Sequence, residues 1–205
     1  SSDLRVLIGV DGFRAWAVAK ELFGADVLGL PYLSIEMYQF EGHDVQLFRA
    51  GKTSEFGYLI MAPAPIGPTL LKRLEECVAQ QGGGPVGVDT HDKLRLEGRF
   101  FNIYAEGAAV RDPLVLGLQW MIDFDKDTFA GYDAIMQRRS EGLKRKIIGV
   151  STDPGVEKLR AGARIYENDA TVAEVVAACH SYVLETDVGL AVFPFDLAYA
   201  GLQFN

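Results

Sequence analysis

The sequence predicts an α+β protein: an antiparallel sheet carries helices on one side, as in a ferredoxin-like layer, and a small C-terminal β-barrel-like unit follows. Two observations support this fold class. Strand-length apolar runs alternate with amphipathic helical segments in the first part of the chain, whereas short strand-like runs dominate after residue 145. The charged stretch 138–146 is the expected boundary, so we predict an α+β domain over 1–140 and a β-barrel-like domain over 141–205.

The first domain shows the order strand, helix, three strands, helix. The predicted strands are residues 4–10, the two arms of a hairpin within 33–50, and 57–62. The predicted helices are 13–23, which ends before Gly24, and 65–84, whose leucines share one face and whose charges share the other. This order favours helices layered on a single sheet.

The remaining elements are shorter. Thr90 can cap a short helix, and another helix is expected at Tyr132–Arg139. The strand-like runs of the tail are 147–151, 163–167, 172–183 and 188–195. A helix at 171–178 is the competing interpretation, because Ala, Val and Glu are ambiguous there.

Composition and charge narrow the functional classes. The chain has 205 residues, 49% hydrophobic and 23% charged, which is typical of a soluble globular protein. Its net charge of -8 argues against nucleic-acid binding, which needs a basic face. No apolar run is long enough to cross a bilayer, and the N-terminus has no signal-peptide pattern. We therefore expect no nucleic-acid or membrane partner.

The two cysteines, Cys77 and Cys179, lie far apart and form no metal-binding motif, so we expect no metal site. Cys77 falls in an apolar helical stripe and is expected to be a buried thiol. Nothing indicates an oxidising compartment, and we expect the cytoplasm. The chain lacks an initiator Met, so we expect either processing or an origin inside a longer gene product.

The segment FRAGKTSEFGYLI, residues 48–60, raises the functional question. A plain hairpin needs only Gly or Asn at its tip, yet this turn holds Glu55 between Lys52 and the aromatic residues Phe56 and Tyr58. One interpretation is an exposed ion pair of Glu55 with Lys52, which is common and weak. The other is a carboxylate kept for a ligand.

Several stretches, in the family's order, resemble the glycine-cleavage T-protein (aminomethyltransferase) family. RAGKTSEFGYL, residues 49–59, is similar to the family pattern R-x-G-Y-T-G-E-x-G-[YF]-E. GVDTHDKLRLEGRFFNIYAEG, residues 87–107, is similar to G-x-x-x-R-D-x-L-R-L-E-x-G followed by L-Y-G. The stretches 112–120 and 125–135 are similar to T-P-[LV]-E-x-x-L-x-W and D-K-x-x-F-x-G. The resemblance covers residues 3–150 well and the tail loosely.

The resemblance implies a folate-dependent one-carbon transferase, with tetrahydrofolate as cofactor and a small one-carbon donor as substrate. By its motif position, Glu55 would accept hydrogen bonds from the N–H groups of the pterin ring. His91 stands where the family has Arg and, with Arg95, would meet the acidic tail of folate. Tyr104 and Trp120 match family aromatics that would line the cavity; ordinary core packing is their alternative role.

The departures from the family shape the functional expectation. Lys52-Thr53-Ser54 replaces Tyr-Thr-Gly, and Thr128 replaces the cysteine of the iron–sulfur-assembly subgroup. The family's N-terminal part, with its catalytic aspartate, has no counterpart, so no residue of this chain is assigned as general acid.

We expect an aminomethyl or methyl transferase of the T-protein type, completed by a partner chain or a further segment that supplies the N-terminal part. The alternatives are a catalytically inactive folate-family binding or interaction subunit, and a plain α+β ligand-binding domain with chance similarity.

Overall fold

The computed structural model describes residues 4–153, 155 and 158–204. These described residues form the strands β1 (Arg5–Asp11), β2 (Ile35–Phe40), β3 (His43–Phe48), β4 (Gly57–Pro63), β5 (Arg145–Ser151), β6 (Arg164–Glu167), β7 (Ala170–Ser181) and β8 (Thr186–Pro194). The α-helices are α1 (Ala15–Phe23), α2 (Gly67–Gln80), α3 (Val88–Glu97), α4 (Glu106–Val110) and α5 (Tyr132–Glu141). The chain divides into two compact units, Ser1–Gly98 and Arg99–Asn205, and each is described by itself.

The first unit is built on a four-stranded sheet in the order β1-β4-β3-β2, with every neighbouring pair antiparallel. Ile60 at the centre of β4 pairs with Ile8 of β1 on one side and with Leu47 of β3 on the other. This register fixes which side chains share a face, because alternate residues of a strand point to opposite sides of the sheet.

The core of the first unit lies between one face of this sheet and the helices α1 and α2. The buried side chains of β3 and β4 are Val45, Leu47, Tyr58, Ile60 and Ala62. They pack with Ala15, Val18 and Ala19 of α1 and with Leu70, Leu74 and Cys77 of α2. The apolar stripe of each amphipathic helix is thereby removed from water, which is what holds such a helix on a sheet.

The second unit contains a sheet in the order β5-β8-β7-β6, also antiparallel throughout, with β5 and β6 as its edge strands. Its core includes Val175, Ala191 and Phe193, and the Phe193 ring meets the Phe204 ring at 5.0 Å between centroids. A register shift between Val175 and Ala177 marks a β-bulge in β7. None of the helices that the structure describes is both long and apolar enough for a bilayer crossing.

The predicted α+β class is confirmed, with two four-stranded antiparallel sheets and few helices. The competing helix at 171–178 was wrong, because those residues belong to β7. The short helix α4 was not predicted, since five residues carry too little periodicity to be recognised. The boundary proposed between residues 140 and 141 stays a prediction about independent folding.

The packing of α2 gives a matched test. Leu70 is fully buried in the first core, whereas its neighbour Leu71 is 45% exposed on the same helix. We expect Leu70→Ala to lower the free energy of unfolding by about 2–5 kcal/mol, because a cavity is left in the core. Leu71→Ala should change it by about 0.5 kcal/mol or less. Urea unfolding measures both, and equal effects would contradict the assigned helix face.

Candidate functional site

The loop 49–56 joins β3 to β4 and carries Glu55. Its two ends meet in a very close backbone crossing. A Cβ added to Gly57 would lie 2.2 Å from Gly51 Cα, and one added to Gly51 would lie 2.9 Å from the Glu55 carbonyl oxygen. No larger residue fits at such distances, so both glycines are needed for the loop to close.

Asp11 holds this loop from the neighbouring strand β1. Its Oδ1 accepts the backbone N–H of Lys52 at 3.0 Å, and the Asp11 side chain is 15% exposed. The next residue, Gly12, donates its N–H to the carbonyl of Phe56 at 2.9 Å. The loop is therefore fastened to β1 both before and after Glu55.

Two further contacts fix the rest of the loop. Ser54, whose φ is 62°, donates its hydroxyl to the Gly98 carbonyl at 2.8 Å. The Arg49 guanidinium donates to the Leu30 carbonyl and lies over the Phe56 ring, 5.5 Å from its centroid. A loop tied at this many points presents its remaining side chains in defined positions.

A cleft of about 230 Å³ opens beside the loop. It is lined by Tyr32, Arg49, Ser54, Glu55, Phe56 and Gly57. Two of its walls are aromatic and partly open to solvent, since Tyr32 is 48% and Phe56 is 42% exposed. The cleft thus offers flat apolar surfaces next to a carboxylate, which suits a planar ring with N–H donors.

Glu55 has no hydrogen-bond or ion-pair partner among the residues that the structure describes. The sequence left open an ion pair with Lys52, and the described contacts include none between the two side chains. A carboxylate that is exposed in a cleft and uncommitted to a neighbour is available to a ligand.

His91 and Arg95 both lie on α3, in the same unit as Glu55. His91 Nε2 is 3.9 Å from Asp11 Oδ2, and His91 is partly exposed. Arg95 is buried and donates to Asp92 Oδ1 at 2.8 Å. His91 is thus connected to the loop through Asp11, whereas the Arg95 guanidinium is engaged within its own helix.

Tyr104 and Trp120 belong to the second unit. Tyr104 is 89% exposed and Trp120 is 59% exposed, so neither is a core residue of that unit. Among the five residues predicted for the cofactor, only Glu55 lines the cleft, and the roles of the other four stay predictions.

Two residues at or beside the cleft, Tyr32 and Asp11, were not identified from the sequence. Tyr32 precedes β2 and reaches the cleft only through the fold, so no local signal marks it. Asp11 follows an apolar strand with no motif around it. The two aromatic residues of the segment 48–60 lie in different places. Phe56 lines the cleft, whereas Tyr58 is buried in the core, and this burial raises the pKa of the Tyr58 hydroxyl.

A second polar cluster occupies the β7–β8 hairpin. His180 Nδ1 and Asp187 Oδ1 are 2.8 Å apart, and Asp187 Oδ2 accepts the Leu159 N–H at 2.9 Å. The hydrogen bond from His180 holds the pKa of Asp187 below its ordinary value, and the Leu159 N–H acts in the same direction. No cavity among those described adjoins His180 or Asp187, so we assign this pair a structural role. The described residues also contain no group of three or more His, Cys, Asp or Glu side chains arranged to hold a metal ion.

Comparison with known proteins gives one consistent result. The family profile described as GCVT N-terminal domain matches residues 1–126. One similar curated protein is the aminomethyltransferase of Synechococcus elongatus, which is 31% identical over 99% of this chain and 53% of the relative. Another is the aminomethyltransferase of Leptospira biflexa, which is 29% identical over 93% of this chain and 52% of the relative. The aminomethyltransferase T of the glycine cleavage system from Bartonella henselae has a similar fold, with a TM-score of 0.74 at 22% identity, over 98% of this chain and 54% of that one. The chain thus spans about half the length of the curated relatives it matches.

The close backbone crossing of Gly51 and Gly57 can be tested directly. We expect Gly57→Ala to lower the free energy of unfolding by about 1–3 kcal/mol, because its Cβ would overlap the Gly51 backbone. Gly29→Ala is the control, since an added Cβ there meets nothing within 4 Å. That variant should be neutral or slightly stabilising. Thermal unfolding compares the two, and a neutral Gly57→Ala would contradict the crossing.

The Asp187 cluster predicts an acid-dependent stability. Because the pKa of Asp187 is lower in the folded state, its ionised form favours folding above the unfolded pKa of about 4. This contribution is lost as the pH falls through the folded pKa. We expect Asp187→Asn to flatten the loss of stability between about pH 5 and pH 2. Glu185→Gln, in the same hairpin and exposed, is the control. Parallel unfolding profiles for wild type and Asp187→Asn would overturn the assignment.

Proposed function

Because the chain belongs to the family of the glycine-cleavage T-protein, we propose that it is the tetrahydrofolate-binding part of an aminomethyl or methyl transferase of this type. In this proposal its cleft binds the pterin ring, and a further segment or chain completes the enzyme. The family profile over residues 1–126 and the aminomethyltransferase relatives support the transferase class. The proposed location is the cytoplasm, where a thiol such as that of the buried Cys77 stays reduced.

The observation that carries this proposal is the unpaired carboxylate of Glu55 on a braced loop between two exposed rings. A pterin presents adjacent N–H donors that one carboxylate can accept together, in charge-assisted hydrogen bonds. Phe56 and Tyr32 offer faces on which such a ring can stack. Glu55 fixes the orientation of the ring, and the aromatic side chains exclude water from its faces.

The size of the cleft suits the ring and not the whole cofactor. Its volume of about 230 Å³ is below the roughly 300–1,000 Å³ of most small-molecule pockets. The benzoyl and glutamyl parts of tetrahydrofolate must therefore reach beyond the six lining residues. This supports a site that is finished by residues outside the loop.

The other predicted residues take roles in that extension. We assign His91 to the acidic tail of the cofactor, since its side chain is partly exposed and lies beside the loop, 3.9 Å from Asp11. Arg95 is the secondary cation and would have to exchange part of its contact with Asp92. For Tyr104 and Trp120, whose rings are exposed, the proposed role as cavity aromatics rests on the family resemblance alone.

When bound, tetrahydrofolate supplies the nitrogen that accepts the one-carbon group. This chain contributes binding and orientation, which by themselves can account for a large part of a transfer rate. The leaving group of the donor needs a general acid, and we assign none in this chain. The acid is proposed to come from the completing segment.

A catalytically inactive binding subunit is the second candidate. The replacement of Tyr-Thr-Gly by Lys52-Thr53-Ser54 in the loop and the absence of an assigned acid favour it. Both candidates require the cofactor to bind at Glu55. They differ in turnover once the completing segment is present.

The role of Glu55 is tested by calorimetric titration with tetrahydrofolate under anaerobic conditions. We expect saturable binding in the micromolar range, about -8 kcal/mol. Glu55→Ala should abolish measurable binding, because it removes both charge-assisted hydrogen bonds to the ring. The fold should be intact, since the Glu55 side chain supports no other described residue.

Glu75→Ala is the matched control, because Glu75 is an exposed carboxylate on α2, outside the cleft. It should leave the affinity unchanged. An unaltered affinity in Glu55→Ala removes that residue from the site, and no binding by the wild-type chain contradicts a ring pocket held by this chain alone.

A further inference from the structure

The first sheet has one covered face and one open face. The helices α1 and α2 pack on the side chains of Val45, Leu47 and Ile60. The residues that alternate with these point away from the helices. They form the open face, and most of them are apolar.

Strand pairing arranges the open face in two central rows. The first row runs across the sheet as Leu7, Met61, Gln46 and Met37. The second runs as Gly9, Leu59, Phe48 and Ile35. Side chains opposite each other on neighbouring strands lie about 4.5–5.5 Å apart at Cβ. Gln46 interrupts the first row with a polar group and Gly9 adds no side chain to the second, so the apolar surface is formed by the two rows together.

This face is open to water in the 205-residue chain. Leu7 is 60%, Ile35 55% and Met37 54% exposed, and Phe48, Leu59 and Met61 are only partly buried. The two rows contain no charged residue. Scattered exposed apolar side chains are normal, but a continuous set across four strands marks an interaction surface.

The occupant can be argued from length and charge. The curated relatives align over nearly the whole of this chain yet are about twice as long, so a segment as large as this chain has no counterpart here. A second copy would bring together two chains of net charge -8, which opposes close approach. An antiparallel sheet can leave a polar face in water, whereas an apolar second face favours cover by another layer.

We propose that the open face binds the segment that corresponds to the unmatched half of the aminomethyltransferase relatives. The identity of this occupant rests on the proposed function; the surface itself does not. Residues next to the two rows connect the surface to the cleft. Asp11 pairs with Gly57 one step beyond the second row, and Gly57 lines the cleft. An occupant seated on the rows therefore lies beside Glu55 and supplies the missing wall of the cleft.

The test is co-expression of the full 205-residue chain with the unmatched half of Synechococcus elongatus aminomethyltransferase, which carries a purification tag. We expect this chain to be retained on the tag without any folate present. Binding therefore does not depend on the cofactor, and Glu55→Ala should be retained like the wild type. Retention on the tag therefore tests the open face, whereas titration with tetrahydrofolate tests the cleft, and one can fail without the other.

Methionine oxidation locates the surface. Met37 lies on the open face and Met121 lies in the second unit, and the two are exposed to similar extents, 54% and 57%. In the complex we expect oxidation of Met37 by hydrogen peroxide to slow at least tenfold, while Met121 reacts as in the isolated chain. Mass spectrometry of the peptides gives both rates in one sample.

Charged substitutions on the open face provide a second test of the proposed surface. Leu7→Glu and Ile35→Glu should each reduce retention at least tenfold, and Leu71→Glu, on the exposed side of α2, should not. Circular dichroism identifies any variant that has lost its fold. Absence of retention, retention with Met37 still reactive, or a dimer of this chain alone that protects Met37 would each overturn the proposal.

Discussion

The close crossing of Gly51 over Gly57 is the constraint on which the site depends. It closes the β3–β4 loop so tightly that the two backbones share the space a side chain would fill. The loop then lies against β1, where Asp11 accepts the Lys52 N–H and Gly12 donates to the Phe56 carbonyl. Without this crossing the loop would be an ordinary mobile connection, and Glu55 would have no fixed position.

A braced loop changes what an exposed carboxylate can do. A flexible Glu loses side-chain and backbone freedom when it binds a ligand, and that loss offsets much of a hydrogen bond. Here the backbone around Glu55 is already fixed by Asp11, Ser54 and Arg49, so less freedom remains to be lost. The same contacts leave the Glu55 carboxylate itself unpaired. Rigidity of the backbone together with an uncommitted side chain is the combination expected of a recognition site.

The sequence predicted those features that depend on local pattern. The periodicity of α2 and the alternation in the β2–β3 hairpin gave the sheet-and-helix layer, because burial of one face imposes those periods. Glu55 stood out because a carboxylate is unneeded in a plain turn. Tyr32 and Asp11 could not be found in this way. Each reaches the site through strand pairing over tens of residues, and no short-range pattern records such a pairing.

The two faces of the first sheet differ in what covers them. The helix-covered face forms a closed core with α1 and α2. The open face adds no burial until another layer covers it. In the proposal of an added layer, the cleft lies where the core meets that layer, since Asp11 and Gly57 border both the loop and the open face. In that proposal, the position of Glu55 at this border makes the affinity for the ligand depend on whether the added layer is present.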